Sequence, residues 1–282
     1  MSITRTAEQE APIEHHGAGL VAAAISDTMA VAGRNLIALR RVPQLIVFST
    51  IQPVIFVLLF RYVFGGAVGP AVLRDYPGIP YVDFLIPGVF VQTATFGALG
   101  AAIGLATDMK SGLLERFRSL PMARSAVLAG RTLADLARNV FVTALMAVVG
   151  FLVGFRVHTN PFSFLCGILL LLLFGYVLSW IFATVGLAVG DPETAQAAAF
   201  PILAPLVFAS SAFVPVSSMP GWLQPFANHQ PVSVTATAVR DLMIGPPIGG
   251  GTTSAVLQSV GWCVALLLVF APLAVQRYRR AV

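Results

Sequence analysis

Chemistry in this chain of 282 residues would need reactive side chains at workable spacings, and such side chains are few. Lysine occurs once, at Lys110, and Met109 precedes it, so the GxxxxGK(S/T) loop that cradles nucleotide phosphates is absent. His15, His16, His158 and His229 fall in a terminal tail or between apolar segments, without the HExxH spacing of a zinc hydrolase. No GxSxG turn presents a nucleophilic serine. Cys166 and Cys263 each sit inside an apolar stretch, where a thiol packs as a small hydrophobe in preference to forming a disulfide or metal pair. The residues point away from hydrolytic, metal and nucleotide chemistry, and the chain is not expected to be an enzyme or to bind a cofactor or metal.

The carboxylates are equally sparse. An ion-driven carrier needs a titrating group near mid-membrane, on the path of the ion. Asp83, Asp108 and Asp135 fall instead at the ends of apolar stretches, and Asp191 and Glu193 in a short connection. What remains for the interior is neutral and aromatic. Gln52, Phe56, Gln92, Thr93, Phe96, Asn139, Thr143, Ser210 and Ser211 form a candidate path for a bulky, largely apolar molecule. The same residue types also serve helix contacts, amides and hydroxyls by hydrogen bonding and phenylalanines by packing.

The elements that would position these residues follow from composition. The chain is 57% hydrophobic and 10% charged, which a water-soluble domain could not sustain without large exposed apolar patches. Crossing a bilayer takes about 20 apolar residues. The sequence predicts an all-helical membrane protein with six spans, near Gln44–Phe64, Tyr81–Ala106, Ala134–Phe155, Phe162–Ala188, Ala197–Pro215 and Ala255–Val275. The third is expected to start as a helix outside the membrane, because Asp135, Arg138 and Asn139 occupy its first turns.

The net charge of +5 lies in arginines that flank apolar segments, which argues for membrane topology and anionic lipid headgroups and against nucleic acid. One side of the spans collects twelve Lys and Arg between Arg34 and Arg280; the other has Arg61, Arg74, Arg156 and Arg240. The basic side, with both termini, is expected in the cytoplasm of a multi-pass cell-membrane protein. Residues 1–20 read as a disordered cytoplasmic tail, 21–42 as an amphipathic interfacial helix with Ile25, Met29, Ala32, Leu36 and Leu39 on one face, and 43–282 as the transmembrane domain. The last outer loop, Pro215 to Thr253, is too polar to cross, although apolar pieces near Trp222 to Phe226 and Val232 to Val239 could dip in and return where protein shields their backbone.

The most charged segment, Thr107 to Asn139, follows the second span. Leu113, Leu114, Phe117 and Leu120 make an apolar stripe, Ser111, Glu115 and Arg118 lie elsewhere, and Pro121 ends the pattern. This reads as a short amphipathic cytoplasmic helix, suited either to rest on headgroups or to enter the cleft of a soluble motor.

These residues resemble a known family. Asp108, Gly112, Glu115 through Arg124 (ERFRSLPMAR), Gly130 and Arg131 are similar to the cytoplasmic loop of type-2 ABC export permeases, in particular the daunorubicin-resistance permease branch. The likeness continues in Gln52 and Pro53, Pro87 and Gly88, Ser211 through Pro215, Met219 through Leu223, His229 through Val232, and Arg240. Leu113 and Lys110 depart from the wider family, which often has Thr after the loop glycine and an acidic residue two before it.

The resemblance implies a half-transporter whose Gly112, Leu113, Leu114, Glu115, Arg116, Phe117, Arg118 and Leu120 dock on a separate P-loop ATPase, with an outer re-entrant element from Pro215 to Pro231. It implies two ATPase copies binding ATP and Mg, a second permease, identical or related, and export of hydrophobic drugs or lipid-like metabolites. Two rival expectations are a secondary carrier using Asp83 or Asp135 and a non-transporting membrane scaffold.

Overall fold

A membrane interior offers the backbone no water, so an apolar stretch must satisfy its own N–H and C=O groups, which a helix does within one segment. A computed structural model of the chain describes residues 43–112, 124–247 and 251–281, together with Met29 and Gly33. Every regular element among the described residues is helical. Helix α1 (Pro43–Leu59) runs through a π-helical turn (Phe60–Phe64) into α2 (Gly65–Asp75). Then come α3 (Tyr81–Gly97), α4 (Leu99–Lys110), α5 (Arg124–Val153), α6 (Pro161–Val189) and α7 (Pro192–Phe208). A 3-10 turn (Val216–Ser218), α8 (Gln224–His229), α9 (Pro231–Ile244) and α10 (Thr252–Ala281) complete the chain. The expected tail, the interfacial helix apart from Met29 and Gly33, and the cytoplasmic helix over Leu113 to Leu120 lie outside the described residues.

Among the described residues, five helical stretches are long and apolar enough to cross a membrane: Ile51–Asp75, Tyr81–Lys110, Ala129–Val153, Pro161–Val189 and Thr252–Arg279. The first continues well past its expected end at Phe64. Gly65, Gly66, Gly69 and Pro70 do not stop it, because ending a helix in lipid strands backbone groups without water. The segment expected as the fifth of six crossings forms α7, which has 17 residues, carries Pro201 and Pro205, and closes at Phe208. Helix α5 begins at Arg124, five residues before the apolar stretch Ala129–Val153.

Helix α6 is the axis of the bundle, packed against α3, α4, α5, α7, α9 and α10. It is cut cleanly at both ends. Asn160 Oδ1 accepts from the Ser163 backbone N–H at 2.7 Å beside Pro161, and Gly190, at φ 74°, closes the helix. Without a hydrophobic drive between helices in lipid, close packing relies on small residues. A Cβ on Gly186 would stand 2.3 Å from the Ala102 carbonyl oxygen, so α4 and α6 meet backbone to backbone. The 14-residue α9 is too short to cross, yet almost all of its residues are buried between α3, α6 and α10.

Candidate functional site

The second span is not one continuous helix. At Ala98 the ladder tightens: the Ala101 N–H donates to Ala98 O at 3.0 Å, leaving the Gly97 carbonyl free of its usual partner. The Arg138 guanidinium, reaching from α5, donates to that carbonyl. In this position it occupies the space a larger residue would fill. A Cβ on Gly100 would lie 2.6 Å from Arg138 Nη1, and a Cβ on Gly97 would lie 2.8 Å from Asn139 Oδ1. One turn nearer the end of α4, Arg131 pairs with Asp108 over Gly104.

Beside this break is a cavity of about 260 Å³ between α1, α3, α4 and α5. It is lined by Gln52, Gln92, Thr93, Phe96 and Asn139, five of the candidate path residues, together with Gly97, Gly100 and Arg138. Gln92 and Asn139 are 1% and 5% exposed, and neither Gln92 Oε1 nor Asn139 Nδ2 has a hydrogen-bond partner. A buried polar atom left unpaired costs roughly 1–3 kcal/mol; Asn139 Nδ2 lies beside α6, 3.1 Å from where a Cβ on Gly175 would stand, outside the cavity lining. Gln52 is exposed and stands at the cavity's edge. Thr93 bonds its own helix, Oγ1 to Val89 O at 2.7 Å. Phe96 leans on Phe200 of α7, with ring centroids 6.4 Å apart.

The other four candidates lie elsewhere. Phe56 joins a stack with Phe60, Phe208 and Phe213, 5.6 Å from the last. Thr143 is buried on α5 one turn from Asn139, outside the cavity lining. Ser210 and Ser211 belong to a polar knot at the opposite end of the bundle. There the Ser211 N–H donates to Ser233 Oγ at 3.0 Å, and Gln230 Nε2 donates to Leu206 O at 2.8 Å. The exposed end of α7 thus has its last carbonyls satisfied by α9 and its preceding residue. Arg240, buried on α9, donates Nε to Phe84 O at 3.1 Å and Nη2 to Ser211 O at 2.8 Å. Gly88 permits the crossing: a Cβ there would stand 1.7 Å from Ala212 O. A second cavity, about 510 Å³, adjoins the knot and is lined by Arg74, Tyr76, Phe84, Ser211, Thr237 and Arg240 among others.

Of the predicted docking segment, only Gly112 is described. With φ +68° it ends α4 as a left-handed cap, its N–H on Met109 O at 3.0 Å. Just before it, Lys110 Nζ donates to Asp191 Oδ1 at 2.8 Å, tying α4 to the start of α7. The Lys110 bond, with the Thr194 backbone N–H, holds the Asp191 carboxyl down at about 2.

Of the two acids on which a carrier would depend, Asp83 is bonded through both carboxylate oxygens, whereas Asp135 Oδ2 is buried without a hydrogen-bond partner. Asp83 Oδ1 accepts from the Arg156 backbone N–H at 2.8 Å, and its Oδ2 sits 2.7 Å from His158 Nε2. Asp135 lies 3.5 Å from Arg138.

Sequence reasoning passed over Arg138 and Arg240 as site residues, counting Arg138 for topology and Arg240 for topology and the family likeness. The signal for Arg138 was present in glycines at 97, 100 and 104 along one helix facing an arginine-bearing span. The signal for Arg240 was an arginine flanked by Val239 and Asp241 in a segment otherwise suited to dip into the membrane.

Comparison with known proteins identifies the family. The sequence profile of the family described as ABC-2 type transporter matches residues 26–244. The chain is 36% identical over 258 residues to the daunorubicin resistance ABC transporter permease protein DrrB1 of Streptomyces coeruleorubidus, covering 92% of this chain and 88% of the relative. It is 29% identical to the probable doxorubicin resistance ABC transporter permease protein DrrC of Mycobacterium tuberculosis, over 84% of this chain and 82% of that one. The inner membrane transport permease YadH of Escherichia coli is 23% identical across 73% of this chain and 80% of its own length.

Proposed function

This chain belongs to the ABC-2 type transporter family and is a multi-pass permease subunit of an ABC exporter, and from that premise we propose how it works and what it moves. Hydrophobic, amphipathic drugs or lipid-like metabolites pass outward, as the names of its drug-resistance relatives suggest. The observation that carries this reading is the cavity in which Gln52, Gln92, Thr93, Phe96 and Asn139 meet, since its amide and aromatic lining suits an amphiphile.

Six crossings are completed by α7 together with the segment to Pro215, and both termini lie in the cytoplasm. On the outer side α8 and α9 form a re-entrant element, in which α9 is shielded by α3, α6 and α10 as buried non-spanning backbone requires. Gly112 through Leu120 dock on an ABC ATPase, which binds ATP and Mg. Closure of two ATPase copies shifts the population between inward and outward access. Movement of the docked segment reaches α4 directly and α7 through the Lys110–Asp191 bond.

A second permease, identical or related, completes the path. Gln52 is a polar residue on a crossing helix exposed at the chain's own edge, where another chain would cover it and close the cavity.

The test is reconstitution. The tagged chain, purified gently from its native membrane, should bring down a P-loop ATPase at near-equal stoichiometry. In proteoliposomes the pair should move daunorubicin with ATP, vanadate should stop it, and an uncoupler should not. Transport that follows an ion gradient and ignores vanadate would overturn the proposal in favour of a carrier, and an ATPase-free preparation without transport would favour the scaffold.

A further inference from the structure

The polar cavity of about 510 Å³ beside the Ser211–Arg240 knot has no part in the path described above. It is bounded by α2, α3, α8, α9 and the 3-10 turn. Arg74 and Arg240 bring two guanidinium groups to its lining, and Asp75 brings one carboxylate. Among the described residues neither arginine forms an ion pair. The carboxylate, by contrast, is engaged: Asp75 Oδ2 accepts from Ser217 Oγ at 3.0 Å. Asp241 follows Arg240 in the chain but is outside the lining, since successive residues on a helix face different ways. The wall is left with more positive than negative charge, and a cleft with low-dielectric sides concentrates the opposite charge.

The two arginines differ in what they offer. Arg74 is exposed at the end of α2, where its side chain can reach a ligand, whereas Arg240 is buried and contributes charge from behind. Asn228, exposed on α8, adds an amide donor. A guanidinium gives an oxyanion two parallel N–H bonds, the geometry that phosphate accepts best. The volume lies within the roughly 300–1,000 Å³ of ligand pockets, ample for a headgroup.

Neighbouring aromatics indicate where that phosphate comes from. Trp222 just before α8 is 78% exposed, and Phe226 within it 46%. Exposed tryptophan beside a transmembrane bundle belongs to the headgroup layer, where one end of the ring system is apolar and the other wet. Asn228 lies two residues beyond Phe226, so the cavity opens at the level of lipid phosphates.

We propose that this cavity binds the phosphate of an anionic phospholipid, with Arg74 pairing the oxyanion, Asn228 donating beside it and Arg240 supplying charge from beneath. A bound headgroup ties the end of the first span to α8. The site goes beyond the exporter reading, because it concerns neither the cargo nor the direction of transport.

Photolabelling of the full permease–ATPase complex in nanodiscs tests this. The probes are a phosphatidylglycerol with a diazirine in its headgroup and the matching phosphatidylcholine, whose choline brings a second cation to the arginines. Peptides containing Arg74 to Tyr76 and Trp222 to His229 should be labelled about threefold more by phosphatidylglycerol, the scale of one partly exposed ion pair. Basic residues at the opposite end of the bundle also attract anionic lipid, so labelling of these peptides, and not of the whole chain, is the readout. Arg74→Gln should remove the preference. Arg156→Gln, which alters an exposed arginine outside the lining, should leave it intact.

Equal labelling by the two lipids overturns the site, as does a preference that survives Arg74→Gln. Because the two lipids are compared on the unaltered protein, poor folding of a variant does not rescue the proposal. Loss of the phosphatidylglycerol label to millimolar inorganic phosphate overturns the lipid assignment in favour of a free anion. Nanodiscs expose both faces of the complex, so the result does not depend on which face is outer. ATP-driven export is measured separately in proteoliposomes, and its absence beside selective labelling overturns only the exporter reading.

Discussion

The guanidinium carbon of Arg240 sits over the ring of Phe84, 3.7 Å from its centroid, while its Nε donates to the carbonyl of the same residue at 3.1 Å. A second bond to Ser211 O joins α9 to α3 and to the segment after α7. This cation is paired with carbonyls and a ring more than with a carboxylate, which suits a group that must stay charged in a dry place.

Arg240→Ala should leave those carbonyls without donors and lower stability by about 3 kcal/mol, given the cost of unpaired buried acceptors. Thermal unfolding of the detergent-solubilised complex checks this. Arg240→Lys should recover only part of the loss, because one ammonium cannot stack on Phe84 and reach both carbonyls.

Gly88→Ala places a methyl 1.7 Å from the Ala212 carbonyl oxygen, a backbone atom that cannot step aside. Overpacking of this kind costs about 1–3 kcal/mol. Gly66→Ala, with nothing within 4 Å, is the matched control and should leave the melting temperature unchanged.

Phe117→Asp puts a charge on the apolar stripe proposed to dock on the ATPase. Export should fall about tenfold or more, since an interface anchor carries roughly 2 kcal/mol. The permease should still reach the membrane in normal amount. Unaltered export in vesicles would remove the docking assignment.

Asp83→Asn keeps an acceptor for the Arg156 N–H and offers a donor to His158. ATP-driven export should persist, with a stability loss of about 1 kcal/mol. A carrier that relied on Asp83 would lose transport altogether, so initial rates in vesicles discriminate.

Asp191 is held at about 2 against an ordinary 3.8, first by the Lys110 bond and then by the Thr194 backbone N–H. A lowered carboxyl gives stabilisation that is complete above 3.8 and disappears as pH falls toward 2. Infrared difference spectra against Asp191→Asn should show its carboxylate band surviving at pH 3. The tie between α4 and α7 is thus constant across physiological pH.

Much of the site was legible as a set of residue types. Gln52, Gln92, Thr93 and Asn139 stood out because neutral polar groups are rare inside apolar spans, and that rarity does not depend on packing. Their grouping was not legible, since it depends on how α1, α3 and α5 cross. Phe56, Ser210 and Ser211, alike in type, went to an aromatic stack and an outer knot. The separately noted Gly88, Ser211, Ala212, Gln230 and Arg240 converge in that knot through contacts between residues far apart in the chain.

By itself the sequence determined the solvent, the helical class and most of the crossings, because a run of about 20 apolar residues can satisfy its backbone in lipid in no other local way. The family likeness was also written there, in motifs that survive without coordinates. Only the tertiary structure decided that the second span breaks at Ala98, that the first runs on to Asp75, and that α7 closes at Phe208. It also decided that Arg138 and Arg240 serve as donors to freed or crossing carbonyls. Such outcomes turn on a helix's neighbours: a glycine facing an arginine, or a carbonyl offered to a side chain many residues away, has no signature in local composition.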